Sequence, residues 1–207
     1  MQVQAVPVSQ FPPFDVTPNT PKTERTREDF GNILRQKFEQ RLPEAVERIW
    51  ELPPLILQEP FGDYVSLLVE ARELFIAGRF YSCVAMCGIV GERLVKDIFR
   101  ASVLVYKAGN ATRPPEEAFD QLEHVEVNGI IRFLNKADLL GDSAQKAAQG
   151  LGELRNKYAH ARGKDPHTDA TRAIALLHTL VEGTVSIFKD FEITDKGLAR
   201  KTVAPSK

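Results

Sequence analysis

An all-α helical bundle is the fold class this sequence predicts, and three observations predict it. Apolar residues recur at three- and four-residue spacing in one segment after another. No stretch shows the sustained two-residue alternation of a half-buried strand. Gly and Pro punctuate the chain between the periodic runs, where helices must stop.

Residues 1–24 carry Pro7, Pro12, Pro13, Pro18 and Pro21 among Ser, Thr and Gln, a composition that cannot bury a core and reads as a disordered or extended arm. A helical extension is expected over 25–60. Phe30, Ile33, Leu34 and Phe38 share helical spacing, and Thr26 with Asp29 resembles a capping box. Pro43 is expected to begin a second short helix with Ala45, Val46, Ile49 and Trp50 inward, ended by Pro53–Pro54.

The central domain is expected over 61–192. A helix capped by Asp63 has Leu67, Leu68, Ala71, Leu74 and Phe75 on its apolar stripe. Gly78 marks a tight turn, and a longer helix follows to about Lys107, with Cys87, Gly88, Gly91, Leu94 and Val95 facing inward. Residues 108–115 read as a loop and 116–124 as a modest helix. Ile130, Ile131, Phe133 and Leu134 are the burial candidates of a helix over 128–139. Asp142 or Ser143 caps the next helix, over 143–162. Asp165–Pro166 opens the last, which runs to about Phe191 with Ala173, Ile174, Leu177 and Val181 on its stripe. Residues 193–207 read as a flexible tail.

The composition limits what such a bundle can do. The chain has 207 residues, 43% hydrophobic and 27% charged, enough for one well-cored domain with extensions. A net charge of −1 means that any contact with nucleic acid must use a local basic patch. No apolar run reaches the roughly 20 residues of a membrane span, and the N-terminus lacks the basic start and apolar core of a secretory signal. Cys83 and Cys87 lie one helical turn apart in an apolar stretch, two buried thiols rather than a zinc site. A cytoplasmic protein without metal or cofactor is the expectation.

The segment that carries chemistry is Gly152–Arg162. On a helical wheel Ala147, Leu151, Leu154, Tyr158 and Ala161 fall in one narrow arc, the core-facing stripe. His160 falls towards the far side of the wheel, and Asn156, four residues before it, is its neighbour. Arg155 flanks them on the side of Ala148, Gly152 and Ala159, a strip of small residues that permits close approach of another helix or of a phosphate backbone. Geometry alone leaves a second reading, an ordinary solvated helix face.

The run Leu154-Arg-Asn-Lys-Tyr-Ala-His160 resembles the Arg-(x4–6)-His signature of HEPN domains, in which a polar residue often follows the Arg. The run Ala71–Glu92 is similar to the first two helices of that family, a helix ending at a Gly–aromatic turn and then a small-residue-rich helix bearing an acidic residue. The resemblance covers 62–191. It implies an antiparallel bundle that forms a homodimer, with two Arg/His segments across a cleft, and in many members a metal-independent endoribonuclease of toxin–antitoxin or antiviral systems. His160 would then be general acid or base, Arg155 would stabilise charge on the phosphorane oxygens, and Asn156 would orient phosphate or histidine. RNA would be the substrate and an antitoxin or defence-complex protein a further partner.

Lys157, Arg162 and Lys164 either contact RNA phosphates or form a solvated helix end favoured by the helix dipole. Glu92 either hydrogen-bonds Arg155 across the bundle or faces water. A family branch controlled by nucleotidyltransferase antitoxins carries a tyrosine two residues after the histidine; Arg162 stands there in this chain. The alternative function is a non-catalytic HEPN module that dimerises and docks a partner through residues 1–60.

Overall fold

The computed structural model describes residues 22–54, 64–107, 110–120, 125–160, 162–194 and 197–200. The arm up to residue 21, Asp63 and the chain beyond Arg200 lie outside the described residues. Two compact units divide at Glu47/Arg48. Among the described residues there are seven helices and two short hairpins: α1 (Glu24–Glu51), α2 (Tyr64–Ile76), α3 (Phe80–Ser102), β1 (Val105–Lys107), β2 (Asn110–Thr112), α4 (Glu116–Asp120), α5 (Val127–Lys136), α6 (Asp142–Ala159), α7 (Pro166–Asp190), β3 (Phe191–Thr194) and β4 (Gly197–Arg200). The all-α class holds, and no helix among the described residues is long and apolar enough to cross a membrane.

Most of the first unit's described part is α1, and here the sequence expectation needs two corrections. Thr23, not Thr26, caps the helix: its Oγ1 accepts the Thr26 backbone N–H at 3.2 Å. The helix then runs through Pro43 without a break. Proline removes one hydrogen bond, but Arg41, Leu42, Glu44 and Ala45 around it are strong helix formers and carry the helix on. Val46, Ile49 and Trp50 are exposed, not inward. The helix stops at Glu51, just ahead of Pro53–Pro54, as expected.

In the second unit α3 is the central element, packed against α2, α6 and α7. Specific neighbours fix the directions. Gly88 and Gly91 of α3 meet Arg155 and Leu151 of α6, so these two helices run antiparallel. Gly150 and Gly183 meet Leu176 and Ala144, so α6 and α7 also run antiparallel. The expected stripes supply the core: Leu68, Ala71 and Phe75 from α2, Ala147, Leu151 and Leu154 from α6, and Ala173, Leu177 and Val181 from α7 are buried. Gly78 takes a φ of 71°, a left-handed turn that glycine adopts without steric cost. Cys83 and Cys87 are buried free thiols.

Four further expectations are revised. α3 ends at Ser102, not near Lys107: Ser102 Oγ donates back to the Phe99 carbonyl at 2.9 Å, and the β-branched Val103 is extended. The following segment forms the β1–β2 hairpin, with Val105 opposite Thr112 and Lys107 opposite Asn110. The expected tail instead begins with the β3–β4 hairpin, Phe191 opposite Arg200. Pairs of three- or four-residue strands are too short to print an alternating pattern on a sequence. Phe133 is exposed and packs edge-on against Phe99, while its neighbours Ile131 and Leu134 are buried.

The helix bearing the Arg/His segment is framed at both ends. Gly141 is its N-cap residue and makes no side-chain cap; Asp142 instead accepts from Asn135 Nδ2 at 3.0 Å. At the far end Arg162 N–H reaches back to the Lys157 carbonyl at 2.9 Å, closing the helix. Asp165 then caps α7 through the Thr168 N–H at 3.2 Å, ahead of Pro166.

Candidate functional site

Arg155 and Glu92 meet across α6 and α3 as an ion pair. Of the two readings open for Glu92, contact with Arg155 is the one realised. The approach depends on glycine: the methylenes of Arg155 lie directly over Gly88, where a Cβ would stand within 3.0 Å of its Cγ and Cδ. Glu92 also accepts from Lys96 Nζ at 2.9 Å, one turn further along α3. Lys96 is buried, its side chain only 6% exposed. One carboxylate thus serves two cations. Burial pushes the Glu92 carboxyl up, but the hydrogen bonds and charges of Lys96 and Arg155 outweigh it and hold the group below the usual carboxylate range.

Two cavities share this ion pair as a wall. One, of about 520 Å³, lies among α3, α5 and α6, with Gly88, Gly91, Ile131, Arg132, Gln149 and Asn156 in its lining. The other, of about 480 Å³, runs along α3 and is lined by Ile89, Glu92, Arg93, Lys96, Arg100 and Arg155. Arg155 therefore presents to open space on both sides while its carboxylate partner holds it in place.

His160 stands at the C-cap of α6, with φ −98° and ψ 18° and its N–H bonded to the Asn156 carbonyl at 3.2 Å. The helix ends one residue before it, not two residues after. Its side chain is exposed and lines neither cavity. Arg155 and Asn156 are brought together on the first cavity; His160 sits one turn beyond at the helix end. Arg162 and Lys164 are exposed past that end.

Lys157 is engaged elsewhere. Its Nζ lies 2.6 Å from Asp169 Oδ2, and Tyr158 donates its hydroxyl to the same oxygen at 2.7 Å. Burial raises the Tyr158 hydroxyl far above its ordinary range, and the hydrogen bond to Asp169 and its charge raise it further. Burial pushes Asp169 up, but Lys157 and Tyr158 hold it below its ordinary range. Tyr81 packs edge-on against Tyr158 and donates to the Gly163 carbonyl at 3.4 Å. This clasp pins the two residues that precede and the one that follows the His160 corner.

Lys96 and Asp169 were not singled out from the sequence. Lys96 had a signal, the Glu-to-Lys spacing of four on one helix. Asp169 had a weaker one: Tyr158 lies on the core arc, and a buried tyrosine hydroxyl needs a partner.

Comparison with family models, with curated proteins and with solved structures finds no match to this chain.

Proposed function

We propose that this chain is a metal-independent endoribonuclease of the toxin or antiviral-defence type, with a HEPN-like bundle arrangement and a site formed by Arg155, Asn156 and His160 at a homodimer cleft. The observation that carries the reading is the placement of Arg155: a guanidinium held by Glu92 against glycine, open to cavities on both sides, one turn before an exposed histidine.

The chemistry follows from the residue types. A ribose 2′-hydroxyl gives up its proton to a base and its oxygen attacks the adjacent phosphorus. The bond to the 5′-oxygen breaks, and that oxygen takes a proton from an acid. The products are a 2′,3′-cyclic phosphate and a 5′-hydroxyl. Imidazole serves as base or acid because its ordinary pKa is near neutrality. Arg155 donates to the equatorial oxygens, where negative charge grows. Asn156, on the same cavity wall, orients the phosphate. Arg162 and Lys164 lie beyond the helix end, where they add positive charge for the RNA chain.

The test is incubation of the purified chain with end-labelled total RNA and tRNA in excess EDTA, beside His160→Ala. Cleavage by the wild type alone, leaving cyclic-phosphate ends, is expected. Equal cleavage by the variant, or none by a folded dimer, overturns the reading.

A second reading has its own observation. Ile33, Leu34, Phe38, Leu42 and Val46 of α1 are exposed at helical spacing, the arrangement of a helix that docks a partner through one face. On that reading the bundle is a non-catalytic HEPN module and residues 1–60 grip a partner protein. Loss of partner capture on deleting those residues, with no RNA cleavage by the intact chain, would establish it.

A further inference from the structure

The two cavities flanking Arg155–Glu92 differ in chemistry. The cavity along α3 is walled by four cations, Arg93, Lys96, Arg100 and Arg155, against the single carboxylate of Glu92. Asp97 lies behind them, 3.6 Å from Arg100, and leaves the cluster with two positive charges in excess. The cavity among α3, α5 and α6 is instead lined by the amides of Asn128, Gln149 and Asn156, over a floor made of Gly91, Val95 and Ile131. An apolar floor with amides at its edges suits a flat heteroaromatic ring, because amides offer both donors and acceptors to base edges. A wall of cations suits a phosphate. Both volumes fall within the range of about 300–1,000 Å³ typical of small-ligand sites.

We infer that the two cavities together form one nucleotide site, with the phosphate against Arg93, Lys96, Arg100 and Arg155 and the base in the amide-lined cavity beyond the Arg155–Glu92 pair. The ligand class is a nucleoside phosphate, either free or as one unit of an RNA chain. This deepens the proposed function and rests on it for the role of Arg155, since it names the residues that seat the nucleotide beside the cleaved bond. Glu92 holds Arg155 in position while the site is unfilled, and an entering phosphate adds its oxygens to the same guanidinium.

The experiment separates binding from cleavage by using the full chain carrying His160→Ala. A fluorescein-labelled single-stranded RNA hexamer is titrated by anisotropy, and adenosine, uridine and guanosine monophosphates and inorganic phosphate are titrated by calorimetry. Arg93→Gln and Gln149→Ala are compared in the same background, with circular dichroism to verify folding. Arg93 is exposed, so its replacement leaves the bundle intact. The expected result is binding of RNA or of a mononucleotide that inorganic phosphate does not match. Arg93→Gln then weakens binding about tenfold, as loss of a charge-assisted hydrogen bond does. Gln149→Ala changes the ranking among the bases. Competition of mononucleotide with RNA assigns the site to either source; binding of RNA alone assigns it to the chain. Binding that both variants leave unchanged, or binding of neither probe, overturns the inference. Binding without any cleavage by the wild type leaves the site standing and sinks the ribonuclease reading instead.

Discussion

A Cβ at Gly88 would lie 2.7 Å from the Cβ of Arg155, closer than two such carbons approach in folded proteins. The contact joins the residue proposed to stabilise the reacting phosphate to the helix that carries its carboxylate partner. It also sets the first prediction. The Cβ of Arg155 is tied to the backbone and cannot swing aside, so Gly88→Ala must push α6 away from α3. The expected cost is about 1–3 kcal/mol, the range for overpacking, read as a shift in urea midpoint, together with loss of RNA cleavage. Gly152→Ala on the same cavity is the control. Nothing lies within 4 Å of its Cβ position, so it is expected to stabilise by about 0.5–1 kcal/mol through helix propensity.

Glu92 gives a pH-dependent prediction. Its carboxyl titrates below the ordinary value of 4.5 because Lys96 and Arg155 outweigh the effect of burial. A depressed folded pKa means that the ionised form stabilises the fold: the contribution is complete above about pH 4.5 and is lost as pH falls through the lower folded value. Glu92→Gln leaves Lys96 buried without its carboxylate and is expected to cost about 2 kcal/mol at pH 7. The gap between wild type and variant should narrow as pH falls below 4. Urea melts from pH 7 to pH 3 measure it, and a constant gap would show that the pair does not hold the helices.

The core of the bundle was legible in the sequence because each long helix prints its stripe directly. Leu68, Ala71 and Phe75, or Leu151, Leu154 and Tyr158, need only a helical period to be placed. What was not legible depends on neighbours far away in the chain. Phe133 has the period of a core residue, yet no helix covers it, and only Phe99 meets its edge. Lys157 reads as a surface cation on the wheel until α7 brings Asp169 beside it. The hairpins are too short for periodicity. Of the site, Arg155, Asn156 and one of the two readings of Glu92 came from the sequence; the two cavities and the buried Lys96 came only with the packing.

The Tyr158–Asp169 bond predicts behaviour at the alkaline end. Burial, then the Asp169 hydrogen bond and charge, raise the Tyr158 hydroxyl well above its ordinary value of 10. A raised folded pKa means that the contribution is full below about pH 10 and is lost as pH rises through the folded value. Tyr158→Phe is expected to cost about 1–2 kcal/mol at neutral pH by removing a buried hydrogen bond. The wild-type minus variant tyrosinate titration should show no step near pH 10. A step there would mean that the hydroxyl is not held by Asp169.

Cys83 and Cys87 are both fully buried. The Cys87 thiol is pushed well above its ordinary range by its hydrogen bond with Cys83 and by burial, so the reactive thiolate is scarce at neutral pH. Alkylation by iodoacetamide must wait for opening of the bundle. The expected rate in the native protein is lower than in urea by a factor of about 10³ or more, since the open fraction of a stable domain is that small. Rapid labelling of either cysteine without denaturant would contradict the packing of α3.

Arg155→Lys separates holding from chemistry. A lysine keeps the positive charge for Glu92, so the fold should change by less than about 1 kcal/mol. It lacks the planar fork that gives two parallel hydrogen bonds to phosphate oxygens. If Arg155 stabilises a phosphorane, cleavage should fall by about 10²–10³-fold, as when one preorganised donor is removed, while the urea midpoint stays near that of the wild type. If Arg155 serves only to bridge α3 and α6, cleavage and stability should both survive the change. Single-turnover cleavage measured beside a urea melt decides between them, because only the first case moves one readout without the other.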